Sequence, residues 1–151
     1  MPVMTEALGF SLSEISRLMR RRFDARARAI GVTRPQWHTL AMLSRHEGVN
    51  QGGLAELMEV EPITACRMID RLEEAGLVER RRDPNDRRAW RIYLTDAAKP
   101  LIERLRAIGN EVTEQALAGI GEDDRERLTA LLAAIRTNLV QDDQQETAAN
   151  G

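Results

Sequence analysis

Residues 50–95 read NQGGLAELMEVEPITACRMIDRLEEAGLVERRRDPNDRRAWRIYLT, and this stretch decides the fold. Asn50 is a good N-cap for a short helix over Gln51–Glu59, although Gly52 and Gly53 weaken its first turn. Leu54, Leu57 and Met58 form its inward side. Pro62 marks the first turn of a second helix, Ile63–Ala75, with Ala65, Ile69 and Leu72 inward. Thr64, Arg67, Met68 and Arg71 recur at spacings of three and four on the other side. Gly76 is the expected stop, and Leu77 begins a hairpin. Val78–Arg82 and Trp90–Leu94 read as strands, with turn chemistry in Asp83-Pro84-Asn85-Asp86. Trp90, Ile92 and Leu94 alternate with Arg91 and Tyr93, so one face is core and the other wet. Helix, turn, helix, hairpin is the order of a winged helix-turn-helix. The predicted fold class is mainly α with a small β wing.

Outside this stretch the pattern is helical. Residues Met1–Glu6 read as loose. Leu8, Leu12, Ile15, Met19, Phe23, Ala27 and Ile30 then form one stripe of a long helix that ends at Gly31. Thr33 and Gln36 fit a capping box for a second helix, with Pro35 in its first turn. Trp37, Leu40, Ala41 and Leu43 are its stripe. Thr95 reads as the cap of a long helix after the hairpin, with a mild bend at Pro100. Its stripe is Leu101, Ile102, Leu105, Ile108, Val112 and Ala116. Gly119 and Gly121 break it. Glu122, Asp123 and Asp124 open a last helix, striped by Leu128, Leu131, Leu132, Ile135 and Leu139. Residues 141–151 are polar and expected to be disordered.

These elements divide the chain into a dimerisation helix over 1–34, a winged lobe over 35–95, dimerisation helices over 96–140 and a tail over 141–151. The compact lobe is too small to cover three distant apolar stripes. A two-fold homodimer covers them at least cost.

Composition excludes several classes. No apolar run is long enough to span a bilayer, and Met1–Phe10 is neither basic nor long in apolar residues, so a cytoplasmic protein is expected. One cysteine, Cys66, precludes an internal disulfide. His38, His46 and Cys66 match no compact zinc spacing, and no metal or other cofactor is expected. No nucleophile–base pattern or phosphate loop stands in a plausible setting, so no enzyme is expected.

The net charge of −2 conceals an uneven distribution. Arg80, Arg81, Arg82, Arg87, Arg88 and Arg91 crowd the hairpin, and acids collect toward the C-terminus. Such a chain can turn one basic face to a polyanion. A helix fits the major groove of DNA, and a hairpin reaches the neighbouring minor groove. Arg67, long and forked, is the best candidate to read bases. Thr64 and Arg71 are placed to touch phosphate or bases, and Met68 shares their side. Arg87 and Arg88 stand at the wing tip, where minor-groove potential favours arginine. Asp86 is an acid at that tip, better suited to hold an arginine in place than to meet DNA. The competing reading pairs Arg67 and Arg71 with Asp70 and Glu74 on a solvated face. It would leave a winged-helix protein-interaction module without DNA binding.

The motifs LAELMEVEPITACRMIDRLEEAGLVERR and DPNDRRAWRIYLT resemble the MarR family of bacterial transcriptional regulators. KPLIERL and ALAGIGEDDRERLTALLAAI are similar to its SlyA branch. The likeness spans roughly Leu8–Leu139. It implies a triangular dimer and a palindromic operator in double-stranded DNA. It also implies repression that is often relieved by a small aromatic carboxylate. The family's wing arginine and aspartate fall on Arg88 and Asp86, and its recognition-helix arginine on Arg67. Arg17, Trp37 and His38 fall near the family's ligand pocket. Gly52-Gly53, Glu61 and Ala98 depart from the pattern. Thiol-sensing members carry their cysteine in the first helix. Cys66 is therefore expected to be a packed thiol, with redox sensing as the alternative.

Overall fold

A computed structural model describes residues 2–149. In chain order its elements are α1 (Pro2–Ala29), α2 (Arg34–Arg45), α3 (Gln51–Met58), α4 (Pro62–Glu74), β1 (Val78–Arg82), β2 (Trp90–Leu94), α5 (Ala98–Ala116) and α6 (Glu122–Ala149). The fold is mostly helical with a small two-stranded antiparallel sheet. The chain forms two compact units, one up to Thr113 and one from Glu114. Among the described residues no helix is long and apolar enough to cross a membrane.

The first unit is built on local signals that act as expected. Thr33 and Gln36 form a reciprocal capping box at α2. The Asn50 side chain accepts from the Gly53 amide at 2.7 Å and starts α3. Pro62 occupies the first turn of α4, where its missing N–H costs nothing. Gly76, at φ +76°, ends α4. Its amide donates to the Glu73 carbonyl, and that of Leu77 donates to the Leu72 carbonyl, which turns the chain directly into β1.

The core lies where α2, α3 and α4 meet the sheet. Leu40, Leu43, Leu54, Ile69, Leu72, Val78 and Ile92 are fully enclosed there. At about 1.5–3 kcal/mol per fully buried large apolar side chain, this cluster is the main source of the lobe's stability. Thr39 is also buried; its hydroxyl donates to the Pro35 carbonyl at 2.7 Å. β2 pairs with β1, Val78 opposite Leu94 through Arg82 opposite Trp90. On its other side β2 bonds to the segment before α3: the Ile92 amide donates to the Val49 carbonyl, and that of Gly48 donates to the Ile92 carbonyl. The sheet is thus anchored to both sides of the turn.

The long α1 is divided along its length. Phe23, Ala27 and Ile30 pack on the core, whereas Leu8, Leu12, Ile15 and Leu18 stay exposed. The first part of α5 also joins the core through Leu101 and Leu105. The first compact unit therefore extends through most of α5, to Thr113. In the second unit, Leu128, Leu131, Leu132 and Leu139 of α6 are exposed. Arg125 binds Glu114 at 3.0 Å and the Leu117 carbonyl at 3.0 Å, closing the turn before α6.

Several local expectations are corrected. α1 begins at Pro2, so residues 2–6 are helical; nothing between them and Leu8 breaks a helix, and Pro2 suits a first position. Met1 lies outside the described residues. α6 runs to Ala149, so most of the tail expected to be disordered is helix. Gln, Glu and Ala propagate helix well, so a polar composition is compatible with helix here. Asn150 and Gly151 lie outside the described residues. Thr95 does not cap α5; its hydroxyl donates to the Gly76 carbonyl at 2.6 Å, and the helix starts at Ala98. Pro100 consequently sits in the first turn, where it imposes no bend. Leu57 is 41% exposed and Trp90 37% exposed, so neither is core. Trp90 instead carries the Arg82 guanidinium over its ring at 4.8 Å.

Candidate nucleic-acid interface

α4 presents the side chains that could enter a groove. Ala65, Ile69 and Leu72 fix its inward face, which leaves Thr64, Arg67 and Arg71 exposed. Met68 is not on that outward face. It is half-buried against the core, its sulfur 3.7 Å from the Thr39 hydroxyl. A residue next to the inward stripe is pulled in when a neighbouring helix supplies a surface, and here α2 does so.

The pairing expected under the competing reading is absent. Among the described residues Arg67 and Arg71 have no ion-pair partner. Asp70 is taken by Arg80 instead, at 2.6 Å. Arg80 lies on β1 with its side chain only 14% exposed. It also meets Glu73 at 3.1 Å, the Cys66 carbonyl at 3.3 Å and Gln51 at 3.3 Å. Partial burial opposes its charge, but the Asp70 and Glu73 carboxylates outweigh that and raise its proton affinity. One arginine thus ties β1 to α4 and α3. In the sequence it stands out only as part of the hairpin's charge. No local pattern marks it, because its partners come from two other helices. Cys66 is a half-buried free thiol with its sulfur 3.8 Å from the same guanidinium.

The wing tip is built by two carboxylates with different tasks. Asp83 accepts from the Asn85 amide at 2.9 Å and from Arg91 at 3.1 Å. These bonds hold its carboxyl below the ordinary range, the Asn85 amide contributing most. Asp86 accepts from the backbone amide of Arg88 at 3.0 Å. The expected arginine-holding role therefore takes a specific form, in which Asp86 fixes the Arg88 main chain and not its guanidinium. Arg82 donates to the Arg87 carbonyl at 2.9 Å and lies over the Trp90 ring at 4.8 Å. Arg81 pairs with Glu79 and stacks on Tyr93 at 4.2 Å. The remaining tip arginines, Arg87 and Arg88, are exposed and without an ion-pair partner among the described residues. Of the basic hairpin cluster, Arg80, Arg81, Arg82 and Arg91 serve the wing itself.

Of the expected ligand residues, Trp37 and His38 are adjacent, and Trp37 alone lines a cleft. A cleft of about 280 Å³ lies between α1, α2 and α5, lined among others by Phe23, Trp37, Arg45, Ile102, Leu105 and Arg106. Trp37 forms one wall, edge-on to Phe23 at 4.6 Å, with its indole N–H donated to Asp24 at 2.7 Å. His38 is beside Trp37, ring centres 5.7 Å apart, but does not line the cleft. Burial, then Arg34 and Arg20 nearby, push its imidazole below the ordinary range. Arg17 is exposed on α1, 3.9 Å from Glu14, and also outside the cleft. The arginines that line the cleft are Arg45 and Arg106, and Arg106 also pairs with Glu103 at 2.7 Å. Arg45 was legible: with Trp37 and Ala41 it repeats at a spacing of four on one helix face. Arg106 was not, because only packing brings α5 to that face.

Recognition helix, preceding short helix and pinned hairpin together define a winged helix-turn-helix protein. The sequence model of the MarR family matches residues 32–90. The transcriptional regulator PA3341 has a structure with 36% identity and a TM-score of 0.74, over 89% of this chain and 98% of its own. A MarR transcriptional regulator from Methanosarcina mazei Go1 reaches a TM-score of 0.79 at 27% identity, over 90% of this chain and 98% of its own. A mutant of S. aureus MepR, solved bound to an oligodeoxyribonucleotide, has a TM-score of 0.61 at 25% identity, over 87% of this chain and 97% of its own. The chain belongs to the MarR family of transcriptional regulators.

Proposed function

We propose that this chain is a homodimeric, sequence-specific DNA-binding repressor whose operator affinity is lowered by a small aromatic carboxylate. The carrying observation is the sorting of arginines. Those beneath the wing are paired, while Arg67 and Arg71 on α4 and Arg87 and Arg88 at the tip stand exposed and unpaired among the described residues. Unpaired arginine on a groove-sized helix and on a hairpin tip suits phosphate and base edges. An interaction module without DNA binding has no use for that sorting. The MepR relative bound to an oligodeoxyribonucleotide supports the same reading.

The dimer is supported by exposed leucines and isoleucine in the first half of α1 and, in the other unit, by exposed leucines of α6. The ligand reading is supported by the cleft, which is lined by the Trp37 indole and by two arginines, Arg45 and Arg106, the latter paired with Glu103 at 2.7 Å. A single experiment tests the DNA reading: selection of bound sequences from a pool of randomised duplexes. A palindrome with half-sites about one helical turn apart is expected. Recovery of no preferred sequence would overturn the proposal.

A further inference from the structure

We propose that Arg80 is a positioning residue for sequence readout: it holds Asp70 away from Arg67 and so keeps Arg67 available to bases. The inference rests on the DNA-binding reading above. Asp70 follows Arg67 by three residues on α4, a spacing at which opposite charges on a helix normally pair. They do not pair here. Asp70 instead accepts from Arg80 at 2.6 Å, the short distance of a charge-assisted hydrogen bond.

The competition favours Arg80 for physical reasons. Its side chain is 14% exposed, so its attraction for Asp70 is screened less than that of exposed Arg67. Its guanidinium is also held by Glu73, Gln51 and the Cys66 carbonyl, so little further side-chain freedom is lost in binding Asp70. The backbone amide of Arg80 donates to the other oxygen of Glu73 at 3.2 Å, which fixes the strand beneath the helix. The wing thereby engages the charge of an acid that stands half-exposed on α4. Without Arg80, Arg67 is the cation on α4 at the three- or four-residue spacing from Asp70 that allows pairing. Pairing there would cost Arg67 its freedom and set a carboxylate beside the DNA.

The test uses the full-length protein and the sequence it selects from randomised duplexes. The base read by Arg67 is first located with Arg67→Ala. In Arg80→Gln, discrimination at that base should fall roughly tenfold, with the rest of the preference profile retained. Adding Asp70→Asn to Arg80→Gln should restore it, because the competing acid is gone, while Asp70→Asn alone should leave it intact. A merely structural role for Arg80 predicts the opposite, since a second lost partner cannot repair a fold. Arg80→Lys, which keeps the charge, guards against simple unfolding and should lose less discrimination than Arg80→Gln. Full discrimination in Arg80→Gln, loss without rescue by Asp70→Asn, or unfolding of both Arg80 variants would overturn the proposal. Failure of the wild-type chain to select any sequence would instead sink the DNA-binding reading, and this one with it.

Discussion

Asp86 and Arg88 are joined through the main chain: the Arg88 amide donates to the Asp86 carboxylate at 3.0 Å. The Ala89 amide donates to the Asp86 carbonyl at 3.1 Å, so one aspartate closes the tip from which Arg88 projects. Simple electrostatics says that deleting an acid near DNA tightens binding. The geometry says that Asp86→Ala frees the tip and weakens it. We expect weaker operator binding in a titration, with an unchanged fold by circular dichroism. Tighter binding would reduce Asp86 to an ordinary turn residue.

Arg88 should supply affinity more than sequence identity, because the minor groove offers a degenerate pattern. Arg88→Ala should weaken binding to many duplexes and flatten the salt dependence. The expected loss is about one unit of logarithmic slope per charge, hence roughly two for a dimer. Affinity measured from low to high salt checks this. An unchanged slope means that Arg88 neutralises no phosphate.

Arg67→Ala should relax base preference, at a cost of about 1–3 kcal/mol at one base position in each half-site. Arg71→Ala serves as the comparison. If it lowers affinity evenly across sequences, Arg71 meets phosphate. A preference profile for Arg67→Ala identical to the wild type would remove Arg67 from base readout.

A salicylate-like acid should bind the cleft beside Trp37 and quench its fluorescence. A Trp90→Phe background isolates the signal, since the chain has two tryptophans. Arg106→Ala and Arg45→Ala, each replacing a cationic residue at the cleft, should weaken the response. Arg17→Ala should leave it intact, because Arg17 lies outside the cleft. No quenching up to millimolar acid, or a loss confined to Arg17→Ala, would refute this assignment.

His38 should make stability fall in mild acid. Its imidazole is held below the ordinary value of 6.5 by burial, then by Arg34 and Arg20. The unfolded chain therefore binds more protons than the folded one as pH drops through and below that value. The stability contributed by neutral His38 is present above it and lost as the pH falls toward the folded value. Thermal midpoints between about pH 7.5 and 5.5 should decline more steeply in the wild type than in His38→Gln. Parallel profiles would show that His38 is not the group responsible.

How much of this was legible depends on the range of the cause. Asn50, Pro62, Gly76 and the turn after Arg82 act within a few residues, and each produced the expected boundary. The inward face of α4 was also readable, because Ala65, Ile69 and Leu72 repeat with the helix. Exposure of Arg67 and Arg71 followed from the same period. Thr95 was misread for the complementary reason. Its sequence suits a cap, but its hydroxyl is taken by the Gly76 carbonyl, brought near by the closing of the hairpin.

The sequence by itself determined the order of elements, the turn chemistry and which arginines sit on the outer face of α4 and at the wing tip. Those properties arise from local backbone preference and from periodicity. The tertiary structure alone decided which arginines are free. Arg80 and Arg67 are the same residue type, yet one is held by two helices and the other has no ion pair among the described residues. The same holds at the cleft, where packing of α5 brought Arg106 to the lining that includes Trp37, while Arg17 lies outside it. A charge is spent or spared by neighbours distant in the chain, and no local pattern records their approach.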